Sequence, residues 1–209
     1  MKKGIVIAII ALFAAGQTQA QVTFMPGIRV GVNFAHLTKG SDSYSNNYYY
    51  SNGPSNEIYT SKTDFYAGVY GAIKLTKYYT LQPEINYSRQ GGQIEYTDYS
   101  IDSNGQRLKQ KLDFGYLTLG VINKFTFGKA VVMVGPSIDF IVDKAGNRNY
   151  TAENDLDFAF TAGLGFNFTK NIGIEARIKK GIIPAFTYNN VDHDNVVFQV
   201  GLAYSFDIK

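Results

Sequence analysis

The side chains best suited to chemistry in this sequence are its two histidines, His36 and His193. Asp192 and Asp194 flank His193, and a His–Asp pair can act as a general base or help to hold a metal ion. In a closed eight-stranded barrel the first and last strands are neighbours, so the two histidines would approach each other at the outer rim. Asp-His-Asp is, however, also ordinary in a solvated loop, and neither a Gly-x-Ser-x-Gly nor a His-Glu-x-x-His motif accompanies it. We therefore keep His36 and His193 as weak rim candidates and predict no enzyme activity, no metal site and no cofactor.

A second set of charged residues recurs at alternate positions within apolar segments. Four basic and four acidic residues share this register: Arg29, Lys74, Glu84, Asp139, Glu175, Arg177, Lys179 and Asp207. A buried charge costs on the order of several kcal/mol unless it is paired. We therefore predict a lumenal ion-pair network of Arg29, Glu84, Glu175 and Arg177, in which an arginine fork holds a carboxylate through two hydrogen bonds.

This network has two interpretations, a selectivity filter or proton path and a polar plug that fixes the shape of a barrel. The interior of an eight-stranded barrel is filled by side chains, which favours the plug.

The charged residues are carried by segments in which apolar residues alternate with polar or small ones. The last segment, 196–208, alternates over thirteen residues, which indicates a strand with one apolar face. A membrane-spanning strand needs about 9–11 residues. Seven more segments alternate or nearly so: 27–37, 64–75, 79–90, 112–125, 130–142, 156–168 and 172–180.

The connections between these segments alternate in length. Short turns near 76–78, 127–129 and 169–171 separate long polar loops near 38–63, 91–111, 143–155 and 181–194. Short periplasmic turns and longer outer loops are typical of transmembrane barrels. An even strand count would place both ends of the chain on the periplasmic side. The Tyr-, Asn- and Ser-rich stretch 41–61 is interpreted as a solvated loop in preference to an adhesive patch.

Alternation alone also fits a soluble, lipocalin-like barrel with its apolar face inward. The polar face, however, is rich in small residues, as a narrow interior requires: Gly31, Ala35, Gly68, Ala72, Gly135, Gly163, Gly165, Gly201 and Ala203. Aromatic residues collect at the turn ends of the segments, as in a membrane-interface girdle: Tyr78, Tyr79, Phe125, Phe127, Phe166, Phe168, Tyr204 and Phe206. We predict an all-β, eight-stranded antiparallel up-and-down transmembrane barrel with a packed polar lumen.

The start of the chain has the features of a secretory leader: Lys2 and Lys3, a short apolar run, and a small-x-small end at Ala20. We predict cleavage after Ala20, with 1–20 as signal peptide and 21–209 as the barrel domain. The chain has no cysteine, so no disulfide framework supports it. Its formal charge is +3 and no basic run is interleaved with aromatics, so we predict no nucleic-acid partner.

Several motifs resemble the PorT-like outer-membrane β-barrel domain family of diderm bacteria. They are Tyr66-Ala67-Gly68, Leu81-Gln82-Pro83-Glu84-Ile85-Asn86-Tyr87-Ser88, Phe114-Gly115-Tyr116-Leu117-Thr118-Leu119, Val134-Gly135-Pro136-Ser137, Gly163-Leu164-Gly165 and Glu175-Ala176-Arg177. The resemblance implies an eight-stranded barrel in the outer membrane, in a family that shares architecture more than activity. The end Tyr204-Ser205-Phe206 resembles the signal read by barrel-assembly machinery.

Together these patterns predict a structural or surface-interaction role for the chain. The expected partners are outer-membrane lipid, barrel-assembly machinery, and a protein or surface ligand at the outer loops. Two alternatives remain: an outer-rim enzyme acting on lipid or peptide, and a soluble periplasmic ligand-binding barrel.

Overall fold

The chain folds into one closed antiparallel barrel. The computed structural model describes residues 22–37, 58–98, 106–145, 156–182, 186–188, 191–193 and 195–207. Their strands are β1 (Thr23–Leu37), β2 (Ile58–Lys74), β3 (Tyr79–Asp98), β4 (Gln106–Phe127), β5 (Ala130–Ala145), β6 (Leu156–Asn167), β7 (Ile172–Gly181), β8 (Phe186–Tyr188), β9 (Val191–His193) and β10 (Asn195–Ser205). Within these residues, eight strands close in the order β1-β10-β7-β6-β5-β4-β3-β2, and β8 and β9 form a separate hairpin. The predicted eight-stranded antiparallel barrel is confirmed. The predicted leader, 1–20, and most of the first loop lie outside the described residues.

The first and last barrel strands close the wall. β1 and β10 pair without interruption from Gly27↔Ser205 to Leu37↔Asn195. Beyond β10, the Phe206 amide still donates to the Pro26 carbonyl oxygen at 2.7 Å. Closure leaves the barrel wall without an unpaired edge, which is the condition for placing strands in a bilayer.

The apolar face of the wall points outward, as predicted for contact with lipid. Val30, Phe160 and Leu202 are 54%, 49% and 53% exposed. At the turn end of the barrel, outward rings meet in pairs, with centroids 5.4 Å apart for Tyr79–Phe125, 5.6 Å for Phe166–Phe168 and 5.0 Å for Tyr204–Phe206. A soluble barrel would bury this face, so the lipocalin-like alternative does not fit.

No helix in the described ranges is long and apolar enough to cross a bilayer.

The small residues of the lumenal face act as sockets for rings from neighbouring strands. Tyr66 and Tyr70 of β2 point inward and are 1% and 6% exposed. A Cβ placed at Gly27 would lie 2.2 Å from the Tyr70 Cζ, and one at Gly201 would lie 2.2 Å from the Tyr66 hydroxyl. A Cβ at Gly31 would lie 2.8 Å from the Tyr66 Cε1. At Gly27 the Tyr70 ring occupies the space that a side chain would take, whereas at Gly31 and Gly201 the backbone oxygens of Val200 and Val30 also lie within 2.2 and 2.3 Å of the added Cβ.

Four strands run on into segments that were expected in loops. The segments 58–63, 91–98, 106–111 and 143–145 continue β2, β3, β4 and β5, and the β8–β9 hairpin lies within the predicted loop 181–194. The β3–β4 ladder is continuous from Tyr79↔Phe125 to Asp98↔Gln106. At about 3.3 Å per residue and a tilt of about 45°, its twenty residues span about 47 Å, against an apolar band of about 25 Å. The hairpin therefore projects beyond the membrane, where its two strands stay paired although their outward register is no longer apolar.

The Gly27 socket makes a testable prediction. Gly27→Ala should lower the free energy of unfolding by about 1–3 kcal/mol, because the Tyr70 ring must leave its position over residue 27. The same substitution in a Tyr70→Ala background should cost much less, since the obstructing ring is gone. Urea unfolding in detergent is measured for the wild type, the two single variants and the double variant, which together form a double-mutant cycle. Equal costs in both backgrounds would show that the ring does not define the socket.

Candidate functional site: the lumenal network

Five charged side chains converge in the middle of the barrel, and we call them the lumenal network: Arg29 of β1, Glu84 of β3, Lys124 of β4, and Glu175 and Arg177 of β7. Strand alternation turns all of them inward, opposite to the lipid-facing residues beside them. The structure thus brings together the four residues predicted from sequence, Arg29, Glu84, Glu175 and Arg177, and adds a lysine.

Each of those four residues pairs in register with a glycine on an adjacent strand. The pairs are Arg29↔Gly68, Glu84↔Gly120, Glu175↔Gly165, Glu175↔Gly201 and Arg177↔Gly163. An added Cβ at Gly163 would lie 2.8 Å from Arg177 Cγ, and one at Gly120 would lie 3.3 Å from Glu84 Cγ. The glycines therefore open the lateral space in which long charged side chains lie across the lumen.

Arg177 links the two carboxylates of the network. Its Nη1 donates to Glu84 Oε1 and Oε2 at 2.9 and 3.1 Å, and its Nη2 donates to Glu175 Oε2 at 2.7 Å. Arg29 makes a second bridge, with Nη1 donating to Glu84 Oε1 at 3.1 Å and Nε lying 3.7 Å from Glu175 Oε2. Two arginines and two carboxylates therefore join β1, β3 and β7 across the lumen.

Lys124 is the network residue that sequence reasoning missed. Its Nζ donates to Glu175 Oε1 at 2.6 Å. The outward positions of Leu117, Leu119 and Val121 share the odd register, which leaves even-numbered Lys124 facing inward. That alternation was the available signal for an inward Lys124.

The network holds three cations and two carboxylates, and aromatic rings lie beside the excess positive charge. The Arg29 guanidinium lies 4.6 Å from the Tyr66 ring centroid, and the Lys124 ammonium lies 5.5 Å from that of Tyr70. A ring face attracts a cation through its quadrupole. The two tyrosines therefore fill the glycine sockets and also contact the charges.

Neutral amides complete the coordination of Glu84. Gln82 Nε2 donates to Oε2 at 3.1 Å, and Asn86 Nδ2 donates to Oε1 at 3.0 Å. Glu84 and Glu175 are each 6% exposed and Arg177 is 1% exposed. The Arg29 Nη2 and Arg177 Nε atoms have no hydrogen-bond partner among the described residues. The guanidinium groups are therefore paired with both carboxylates without using every N–H group.

The lumen stays filled from the network toward the outer rim. Lys179 pairs with Asp139, bridging β7 and β5. Beside them, Asn33 Nδ2 donates to Ser88 Oγ at 2.7 Å, and Gln199 Nε2 donates to Asn33 Oδ1 at 2.8 Å. Buried polar layers above the network therefore leave little room for a continuous water path.

Two other charges of the predicted register lie at the turn end and outside the network. Lys74 is exposed, and Asp207 follows the end of β10. Lys170 Nζ lies 2.7 Å from Asp207 Oδ2. The hydrogen bond from Lys170 holds the pKa of the Asp207 carboxyl below its usual range. The pair is therefore fully charged at neutral pH, and it is lost as the pH falls through that lowered pKa.

The structure describes the side chain of only one of the two candidate histidines. His36 lies in the outward register of β1, exposed, with Nδ1 3.2 Å from Ser61 Oγ. His193 ends β9, where its backbone pairs with Phe186, and its side chain is not among those described. In the part of the chain that the structure describes, no three His, Cys, Asp or Glu side chains group as metal ligands.

Burial of the network predicts a strong effect of neutralising one carboxylate. Glu84→Gln should lower the free energy of unfolding by about 3–5 kcal/mol, because two arginines lose a buried counter-charge. The matched control is Glu95→Gln, whose partner Lys109 is 64% exposed, and it should cost less than about 1 kcal/mol. Both costs are measured by following, as urea is raised, the fraction of protein that still runs at the folded position on a gel without heating. Similar costs for the two variants would contradict a network that depends on charge.

Comparison with solved structures finds similar barrels at low identity. Neisserial surface protein A is 11% identical, covering 90% of this chain and all of its own, with a TM-score of 0.49. The outer membrane protein OprG from Pseudomonas aeruginosa is 10% identical, covering 90% and 99%, with a TM-score of 0.49. The attachment invasion locus protein Ail of Yersinia pestis, in complex with the heparin analogue sucrose octasulfate, is 12% identical, covering 88% and 99%, with a TM-score of 0.44.

A search of curated proteins finds no match to this sequence. The model of one protein family, by contrast, matches residues 17–187, which is most of the chain and includes seven of the eight barrel strands. With the closed barrel and its outward apolar face, this match identifies the chain as a member of the outer membrane protein beta-barrel domain family.

Proposed function

We propose that this outer-membrane barrel has a structural or surface-interaction role and no catalytic activity, and that the lumenal network serves as its plug. The observation that carries the proposal is the bridging of Glu84 and Glu175 by Arg177 in the centre of the lumen. The bridge joins β3 to β7, which face each other across the barrel in the strand order. A filter or proton path would need mobile, water-accessible charges, whereas these are buried and paired.

The extended β3–β4 hairpin supports the surface-interaction part of the proposal. It carries exposed basic side chains, Arg107 and Lys109, beyond the apolar band of the wall. Among the described residues, β4 pairs with β5 only as far as Asp113↔Ala145, so its segment 106–112 is paired on one side. A projecting strand of this kind presents backbone and charge to a ligand at the cell surface.

We further propose that the chain belongs to the PorT-like subfamily and is exported to the outer membrane of a diderm bacterium by a signal peptide cleaved after Ala20. Barrel-assembly machinery then inserts it into that membrane. A protein or surface ligand at the outer loops is the proposed partner. The alternative of a rim enzyme gains no support from the outward-facing His36.

The plug predicts a closed lumen. The folded protein should give no resolvable conductance steps in planar bilayers, under conditions in which a porin of about 16 strands does. Reproducible steps from the wild-type protein that disappear or change size in Arg177→Lys would instead indicate a conducting path through the network.

Surface interaction is tested by site-specific photo-crosslinking in living cells. A photoreactive residue in place of Lys109, on the projecting hairpin, should yield a discrete protein or glycan adduct. The control is the same residue in place of Leu119, which is outward in the apolar band and should yield lipid adducts only. Lipid adducts at both positions would argue against a partner at this hairpin and leave the structural role.

A further inference from the structure

A cavity of about 610 Å³ opens at the turn end of the barrel, below the lumenal network. We call it the turn-end cavity. Its wall includes residues of all three short turns, among them Lys77, Lys129 and Lys170. Small-molecule sites typically have volumes of about 300–1,000 Å³, so this space is large enough for a small ligand.

The charge of the turn-end cavity is strongly one-sided. Five lysines and one acidic residue line it: Lys74, Lys77, Lys124, Lys129, Lys170 and Asp207. Lys170 pairs with Asp207, and Lys124 pairs with Glu175. Within the described residues, Lys74, Lys77 and Lys129 have no acidic partner. Three uncompensated lysines at the cavity and its mouth give this end of the barrel an excess of positive charge, which attracts anions from solution.

Neutral hydrogen-bond donors surround these lysines. Thr80, Thr126, Asn167 and Ser205 line the same cavity. Each can donate a hydrogen bond through a hydroxyl or an amide. The wall is therefore rich in donors and suits a ligand group with several acceptor oxygens.

The inner end of the cavity is closed. Lys124 lines it and is bonded to Glu175 of the network, and Gln82 lines it while donating to Glu84. Among the described residues, the buried Gln82 Oε1 has no hydrogen-bond partner. The space therefore ends on the plug, and this geometry suits retention of a ligand better than its passage.

We infer that the turn-end cavity binds the phosphate group of a small ligand. A phosphate carries more acceptor oxygens than a carboxylate, and lysine ammoniums bind it as point charges. Two sources share this chemistry, a soluble phosphate ester and a phospholipid headgroup. Lys77 lies 4.7 Å from the Tyr78 ring centroid and Lys129 lies 6.0 Å from that of Phe166, both rings being exposed at the wall. Such rings sit at headgroup level, so a lipid headgroup would reach the same lysines.

The test uses the full protein refolded in octyl glucoside, which contains no phosphate. Calorimetric titration with sn-glycerol 3-phosphate should show saturable binding that weakens with salt, while glycerol should show none. Lys74→Gln should weaken binding about tenfold, since one charge-assisted contact is lost. Lys180→Gln, which removes an exposed lysine at the outer end of β7, far from the turn-end cavity, should leave the affinity unchanged. The heat-modifiable gel shift checks that both variants fold.

A second titration with short-chain phosphatidylglycerol below its micelle concentration distinguishes the sources. Binding of glycerol 3-phosphate with the stated dependence on Lys74 supports a soluble ligand. Binding of the lipid alone, with the same dependence, supports the headgroup. If neither probe binds, or if Lys74→Gln and Lys180→Gln weaken binding equally, the inference is overturned.

Discussion

The narrow cross-section of an eight-stranded barrel is the constraint on which the remaining structure depends. Inward side chains from opposite walls share one small space, so each large side chain requires a small one beside it. Here the small partner is a glycine at a neighbouring register position, as in Arg177↔Gly163 and Glu84↔Gly120. The arginines and glutamates can therefore lie flat and meet at the centre. Charge pairing then compensates for removing these groups from water.

Much of this arrangement can be predicted from sequence because alternation in a strand is simple and local. The period of two assigns Arg29, Glu84, Glu175 and Arg177 to one face, and the need to pair buried charges suggests that they meet. The contacts themselves cannot be predicted, because they depend on the stagger between strands. Lys124 illustrates this limit: its bond to Glu175 joins β4 to β7, which are separated around the wall by β5 and β6.

The sockets and the projecting hairpin were missed for different physical reasons. Small residues on the lumenal face indicate a crowded interior, but only the fold shows that the Tyr66 and Tyr70 rings occupy the spaces they leave. Beyond Gln90 the outward-register positions of β3, Gln93, Glu95 and Thr97, are polar, so the lipid-facing apolar pattern ends before the backbone pairing does. Hydrophobic alternation detects the part of a strand that has one apolar face, so it underestimates the length of strands that continue into water.

The Tyr66 ring also bears on how the barrel closes. It extends from β2 across β1, and its hydroxyl occupies the space over Gly201 of β10, so one side chain reaches over the strand pair that joins the two ends of the chain. A slip of β10 by two residues would keep every side chain on its proper face, but it would place Gln199 or Ala203 beneath the ring. Hydrophobic matching does not distinguish these registers, whereas steric fit does. The Tyr66 ring therefore favours the one closing register in which Gly31 and Gly201 lie opposite each other.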